Sequence, residues 1–134
     1  MRKRKNELLP RPTDTELSIL RVLWQHGPGT VRETLKRFNE DNGAEAGYTT
    51  ILKMLQIMAD KGLVERDDSQ RPQVYRASIA QEQTQRQLLA DLVDKAFGGS
   101  AKKLVMQALA SKEASGKELA QIERLLDKLE GEGR

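Results

Sequence analysis

A polar stripe is predicted within residues 45–62 by four side chains at the helical spacing i, i+4, i+7 and i+11, namely Thr49, Lys53, Gln56 and Asp60. The opposite face of such a helix would be apolar and would carry Ile51, Leu52, Met54, Leu55, Met58 and Ala59. Hydroxyl, ammonium and amide groups reach base edges and phosphates from a helix that lies in a DNA major groove. The pattern therefore fits a recognition helix, and it fits an amphipathic core helix with a polar outer face equally well.

The composition argues against catalysis. The 134 residues include no Cys and one His, which excludes disulfides, thiolate zinc sites and His-based metal clusters. The sequence contains no G-x-x-x-x-G-K-S/T, G-x-G-x-x-G or G-x-S-x-G motif. We therefore expect no enzyme activity, no metal and no cofactor. The basic start is followed by only Leu8 and Leu9 as apolar residues, so we predict no signal peptide, no membrane insertion and a cytoplasmic location.

Positive charge is concentrated at the start of the chain. Of the formal net charge of +3, residues 1–12 contribute +4, residues 13–77 contribute −1 and residues 78–134 contribute 0. The basic run consists of Arg2, Lys3, Arg4 and Lys5. Because Pro10 and Pro12 disfavour helix in the residues before them, this run is predicted to be an extended arm. Such an arm would follow DNA phosphates or enter a minor groove, and a solvated basic tail is the alternative.

Two capping boxes predict the helices that must position the stripe. Thr13 with Glu16 starts a helix over residues 14–26, and Thr30 with Glu33 starts a second one. Each is followed by apolar residues at helical spacing. The stripe would thus lie on the third helix of a helical unit.

A hairpin is predicted to follow that third helix. A polar loop over residues 39–43 leads into the helix, and Gly62 ends it. Short strands are then predicted at residues 63–66 and 73–76, with Arg71 in the loop between them. Three helices followed by a hairpin is the order of a winged helix-turn-helix, in which the hairpin forms a wing against the DNA backbone. A purely structural cover for the core is the alternative for the hairpin.

Three further helices are predicted in residues 78–134. Ser78 would cap the first, Gly98-Gly99 would end it, and Ser100 and Ser115 would cap the other two. Their apolar positions include Leu88, Leu92, Phe97, Leu104, Leu119, Ile122 and Leu126. So short a region with a single aromatic residue builds little core alone, and we expect these side chains to be buried against a second copy of the chain. A three-helix satellite packed on the first domain is the alternative.

The predicted fold is therefore mainly α. It has a basic arm at residues 1–12, a winged helix DNA-binding domain with a two- or three-stranded wing at 13–77, and a helical dimerisation region at 78–134. The residues expected to bind DNA, besides the arm, are Tyr48, Thr49, Thr50, Lys53, Gln56 and Arg71.

The motifs resemble those of the penicillinase-repressor family of bacterial transcription regulators along nearly the whole chain. The resemblance rests on Thr13-x-x-Glu16 with Leu23-Trp24, Tyr48-Thr49-Thr50-Ile51, Lys61-Gly62-Leu63-Val64, Arg71 and Tyr75, Phe97-Gly98-Gly99-Ser100, and Ser115-x-x-Glu118-Leu119. It implies a homodimeric repressor that binds a palindromic operator. In the family, a membrane sensor with a cytoplasmic metalloprotease domain triggers cleavage of the repressor and so frees the gene.

The chain departs from the family pattern at four places. Ile57-Met58 stands where an Arg-Leu pair is common, and Gln70-Arg71 stands where the wing usually reads Gly-Arg. Gln107-Ala108 stands where the penicillinase repressors are cut at an Asn-Phe bond, which makes it the candidate cleavage site. The Cys pair of the family's copper-responsive branch is absent.

Two other functions remain open from the sequence. A winged helix that binds protein and not DNA is favoured by the near-neutral charge of residues 13–77. A regulator with a small-molecule pocket between the two regions would need a cluster of aromatic or polar residues there, and the chain has five aromatic residues in all.

Overall fold

The computed structural model describes residues 10–111 and 116–132, and these ranges contain six helices and one two-stranded sheet. The elements in chain order are α1 (Asp14–His26), α2 (Val31–Asn42), α3 (Tyr48–Asp60), β1 (Val64–Asp67), β2 (Val74–Ala77), α4 (Gln81–Ala96), α5 (Ala101–Ala110) and α6 (Gly116–Glu132). The chain forms two compact units, of which the first ends at Gln87 and the second begins at Leu88. Arg2, Lys3, Arg4, Lys5 and Ser115 lie outside the described residues.

Both predicted capping boxes are present. The hydroxyl of Thr13 accepts a hydrogen bond from the Glu16 N–H at 3.2 Å, and the Thr13 N–H donates to the Glu16 carboxylate at 2.9 Å. Thr30 and Glu33 repeat these two bonds at the start of α2. Each box satisfies N–H groups that the first turn of a helix leaves without a partner. The predicted starts of both helices are thereby confirmed.

The carboxylate of Glu16 also ties the start of α1 to the end of α3. Its side chain is buried, with 3% exposed, and Nζ of Lys61 lies 2.6 Å from its Oε1. Burial alone would raise the pKa of this carboxyl group, but the hydrogen bonds from Lys61 and Thr13 outweigh burial and lower the pKa below its ordinary value. Glu16 is therefore ionised and fully paired in the folded protein at neutral pH.

The core lies between the three helices and the sheet of the first unit. Its buried apolar side chains are Ile19, Leu20, Val22, Leu23, Val31, Phe38, Ile51, Leu55, Met58, Leu63, Val64 and Tyr75. Helix α3 buries Ile51, Leu55 and Met58, so its fully buried face is narrower than the sequence suggested. The other predicted members of that face, Leu52, Met54 and Ala59, pack half-buried at its edges. The predicted apolar back of the helix is confirmed.

The wing is joined to the turn between α1 and α2. Strands β1 and β2 pair antiparallel, each beginning one residue later than predicted. Gly29 forms an isolated bridge with Tyr75, in which the two residues exchange N–H···O bonds of 3.0 and 2.8 Å. The side chain of Tyr75 is buried in the core. The hairpin therefore has two strands and one additional backbone attachment to the helical unit.

Asn39 shapes the turn between α2 and α3. Its side-chain amide donates to the Ala46 carbonyl at 3.1 Å, and its side-chain oxygen accepts from the Ala46 N–H at 2.9 Å. The Asn39 carbonyl also accepts from the Ala44 N–H. These three bonds fix the short segment that leads into α3 and sets the direction of that helix.

Two local predictions were wrong. The predicted loop over residues 39–43 is helical up to Asn42. The side-chain amide of Asn42 donates to the Phe38 carbonyl, and Gly43 ends the helix in the left-handed conformation at φ 59°. Ser78 is not the cap of α4, since α4 begins only at Gln81, and the Ser78 hydroxyl donates to the Gly62 carbonyl. The prediction for Ser100 is confirmed, because its hydroxyl accepts from the Lys103 N–H at 3.1 Å.

We predict that the Glu16 pair makes stability depend on pH. A lowered folded-state pKa stabilises the protein above the unfolded value of about 4.3, and this contribution is lost as the pH falls through the folded-state pKa. Glu16→Gln should lower the free energy of unfolding by about 1–3 kcal/mol at pH 7 and flatten the acid side of the Tm profile. Glu33→Gln is the comparison variant: its bonds to Thr30 also lower the pKa of Glu33, but the group is exposed and screened by water, so the profile should change less. An unchanged acid limb in Glu16→Gln would contradict the assignment.

We also predict that Asn39 stabilises the unit through its two side-chain bonds. Asn39→Ala should reduce the free energy of unfolding by about 1–2 kcal/mol, because two backbone groups lose their partner. Asn42→Ala removes one exposed amide from the same helix and should cost less. Urea unfolding of both variants measures the difference. Equal losses would mean that the two bonds to Ala46 add no stability beyond that of a single exposed side-chain bond.

Candidate nucleic-acid interface

The first turn of α3 is exposed and has no capping side chain. Its N-cap is Gly47, which offers no side-chain oxygen to the free N–H groups of the turn. Tyr48, Thr49 and Thr50 follow, and all three are exposed. Unpaired N–H groups and the positive end of the helix dipole make such a terminus attractive to an anion. The structure thus brings three predicted site residues to one helix end.

The polar stripe lies on the solvent side of α3. Thr49, Lys53, Gln56 and Asp60 are exposed, whereas the residues on the opposite side of the helix enter the core. The helix has 13 residues and is about 20 Å long. We name its exposed stripe of these four residues the reading edge. Within the described ranges, no carboxylate forms an ion pair with Lys53. Its ammonium group is therefore available to an outside partner.

A cleft opens between α2, the start of α3 and the wing loop. It has a volume of about 400 Å³, and its lining residues are Thr30, Val31, Arg32, Tyr48, Leu52, Arg71, Pro72 and Gln73. The guanidinium carbon of Arg32 lies 5.4 Å from the centre of the Tyr48 ring, within the range of a cation–π contact. Two guanidinium groups, those of Arg32 and Arg71, thus line one cleft. Guanidinium groups bind phosphate oxygens with matched geometry.

Arg32 is a site residue that the sequence analysis missed. It is the second residue of α2, and nothing in its spacing relates it to Tyr48 or to Arg71. The sequence offered no signal for this contact, because it depends on how α2 and α3 pack against each other.

The wing loop is held by Asp67, another residue that the sequence analysis did not single out. Its carboxylate accepts from the Ser69 N–H at 3.0 Å, from the Ser69 hydroxyl and from the Gln70 amide at 3.1 Å. These hydrogen bonds, first of all that of the Ser69 hydroxyl, lower the pKa of Asp67. Arg71 donates to the Asp68 carbonyl at 3.1 Å. The loop that presents Arg71 is therefore internally bonded.

A second opening lies beside the far half of α3. It is lined by Gln56, Ala59, Asp60, Arg66 and Asp68. The guanidinium Nε of Arg66 lies 2.7 Å from Asp68 Oδ1. Gln56 thus shares this opening with a charged pair at the end of β1 that could not be singled out from the sequence.

Several carboxylates of the first unit bond to other groups of the same unit. Glu16 binds Lys61, Glu33 closes a capping box, and Asp67 organises the wing. Asp41 pairs with His26 at 3.2 Å. These carboxylates are used within the fold, whereas Arg32, Lys53 and Arg71 border the exposed edge of α3, which also carries Asp60.

The second unit exposes apolar side chains. Leu92 is 48% exposed, while the predicted dimer residues Leu88, Phe97, Leu104, Leu119 and Ile122 are half-buried. Further exposed apolar residues of this unit are Leu89, Val105, Met106 and Leu125. The side chain of Leu126 lies outside the described residues. Gln107 and Ala108 are exposed within α5.

In the part of the chain that the structure describes, no three His, Asp or Glu side chains form a group that could hold a metal ion. None of the described helices is both long and apolar enough to cross a membrane.

Two comparisons with known proteins agree with this arrangement. The family model described as penicillinase repressor matches residues 12–128, which include both capping boxes, α3, the wing and most of the second unit. A penicillinase repressor from Bacillus licheniformis is 22% identical over 119 residues, which cover 89% of this chain and 91% of that protein. The chain therefore belongs to the penicillinase repressor family, a family of transcriptional repressors and not a class of enzymes.

Proposed function

We propose that the protein is a homodimeric repressor that binds a palindromic operator in double-stranded DNA. The observation that carries this proposal is the exposed polar edge of α3, which begins at an uncapped helix terminus beside a cleft lined by Arg32 and Arg71. Membership of a repressor family supports the same function. The predicted division at residues 77/78 into reading and dimerising regions remains part of this proposal.

Helix α3 enters the major groove, which is about 12 Å wide and admits one helix. Lys53 and Gln56 extend from the reading edge toward the bases. Lys is suited to the guanine acceptors, and Gln is suited to the donor and acceptor pair of adenine. Tyr48, Thr49 and Thr50 lie at the helix start, where hydroxyl and backbone N–H groups bond to phosphates or base edges.

The DNA backbone is held beside the start of α3. Arg32 and Arg71 line the cleft beside the helix start, and each guanidinium binds a phosphate there. The basic arm with Arg2, Lys3, Arg4 and Lys5 adds affinity that depends on salt and not on sequence.

The arrangement of charge favours DNA over a protein partner for the reading edge. A protein interface is normally depleted of charge at its centre. The edge of α3 instead has Lys53 at its middle, with no carboxylate of the described residues paired to it. Part of the negative charge is used in bonds within the fold, at Glu16, Glu33 and Asp67, although Asp60 lies exposed at the end of the stripe.

Dimerisation is assigned to the second unit. Its exposed apolar residues, among them Leu89 and Leu92, have no burying surface within the described part of their own unit. A second copy would cover them and would place two reading helices about a two-fold axis. That symmetry is matched by a palindromic operator.

Release from DNA is assigned to a cut in α5 by a membrane sensor metalloprotease, the partner that the family resemblance implies. Gln107 and Ala108 are exposed but helical, so α5 must open locally before a protease can bind it in extended form. The cut separates α6 from the rest of the chain. Two reading units that lose their link lose effective concentration at the operator, and affinity falls.

Base reading is tested by single substitutions on the α3 edge. Lys53→Ala and Gln56→Ala should each weaken binding to the preferred sequence by about 1–3 kcal/mol while changing binding to random duplex little. Lys36→Ala, an exposed lysine of α2, is the control and should leave both affinities nearly unchanged. Removing residues 1–8 should instead weaken both affinities and flatten their salt dependence. The preferred sequence is obtained by selection among random duplexes. If the α3 substitutions weakened both affinities and removal of the arm weakened only the preferred one, the roles of helix and arm would be the opposite of those proposed.

Dimerisation and release are tested by shortening the chain. A chain that ends at Gln87 should fold, because it keeps the buried Thr84 and Gln87 and the 2.9 Å bond from Trp24 to the Ile79 carbonyl. It should be monomeric, because it lacks the second unit. A chain that ends at Gln107 should dimerise more weakly than the intact protein and bind operator less tightly. Sedimentation measures the dimer and fluorescence anisotropy measures DNA binding. If the chain ending at Gln107 matches the intact protein in both, a cut at this site is not the switch.

A further inference from the structure

Among residues 10–87, only two large apolar side chains are exposed, and both are on α3. Tyr48 is 43% exposed and Ile57 is 44% exposed. The Tyr48 ring is already in contact with Arg32, whereas Ile57 extends from a later turn of the helix. Residues 10–87 therefore leave one large aliphatic side chain in water, on the helix with the reading edge.

Ile57 borders the polar stripe and does not continue the core. It follows Lys53 by four residues, which places the two about 40° apart around the helix axis. It follows Thr50 by seven residues and lies almost directly in line with it. Thr50, Lys53 and Ile57 thus form one exposed row along the side of α3.

The surroundings of Ile57 are polar. Lys53, Asp60 and Lys61 are its charged helix neighbours, and Met54 is half-buried against the core. A single apolar side chain between charges is too small to form a protein docking patch. It matches a ligand that presents one apolar group within a polar surface.

We propose that Ile57 reads a thymine by contact with its 5-methyl group. This inference rests on the proposed binding of α3 in a major groove, where the 5-methyl group of thymine is the apolar feature of the four bases. The contact gives each half-site a preference for thymine beside the position that Lys53 reads. It adds an apolar determinant to a helix whose other determinants are hydrogen bonds.

The experiment replaces single thymines of the selected operator by uracil, which removes only the methyl group. With the intact protein, one thymine in each half-site should show a loss of affinity of about fourfold, the size expected for one methyl-sized apolar contact. Ile57→Ala should abolish that loss while binding thymine and uracil duplexes equally at this position. Ile57→Val, which keeps branched methyl groups, should retain part of it.

Gln56→Ala is the control, because it lowers overall affinity but should leave the uracil penalty at that position unchanged. A Tm close to that of the intact protein is expected for Ile57→Ala, since the position is exposed and Ala favours helix. If every thymine tolerates uracil, or if the penalty persists in Ile57→Ala, the inference is wrong even though DNA binding stands. If selection yields no preferred sequence, the proposed function itself fails, and the inference fails with it.

Discussion

The first unit depends on one buried carboxylate. Glu16 accepts from the Thr13 N–H and from Lys61, so that the same group closes the first turn of α1 and holds the last residues before the wing. A buried charge is stable only when its oxygens are well bonded. The pair therefore links the start of α1 directly to the end of α3, in addition to the apolar core that the two helices share.

The start of α3 is positioned by hydrogen bonds to backbone groups and not by an ion pair. Asn39 binds both polar groups of Ala46, and Gly29 and Tyr75 join the wing to the turn between α1 and α2. Both attachments involve segments close to the cleft that contains Arg32 and Arg71. Because the groups that make these bonds lie outside the exposed face of α3, the side chains of that face are not needed to hold the helix in place. Their polar groups are available to a partner.

Much of the fold follows from local patterns. The two capping boxes, the apolar face of α3 and the glycine stop near residue 98 were predictable because each involves residues within a few positions of one another. The end of α2 was not predictable in this way. Asn42 was assigned to a loop because of its residue type, whereas it lies in the helix and its side-chain amide bonds to the Phe38 carbonyl. Ser78 was misassigned for a related reason. Its hydroxyl was expected to accept from a nearby backbone N–H, but it donates to the distant Gly62 carbonyl.

The sequence by itself determined the order of elements, the polar edge of α3 and the absence of cysteine chemistry, because these are set by residue type and short-range spacing. Only the tertiary structure decided that Glu16 binds Lys61, that Arg32 lies near Arg71 and that Ile57 stays in water. These relations join residues far apart in the chain or depend on which helix face is covered. They are set by the packing of α3 against α1, α2 and β1, a geometry that no spacing along the chain encodes.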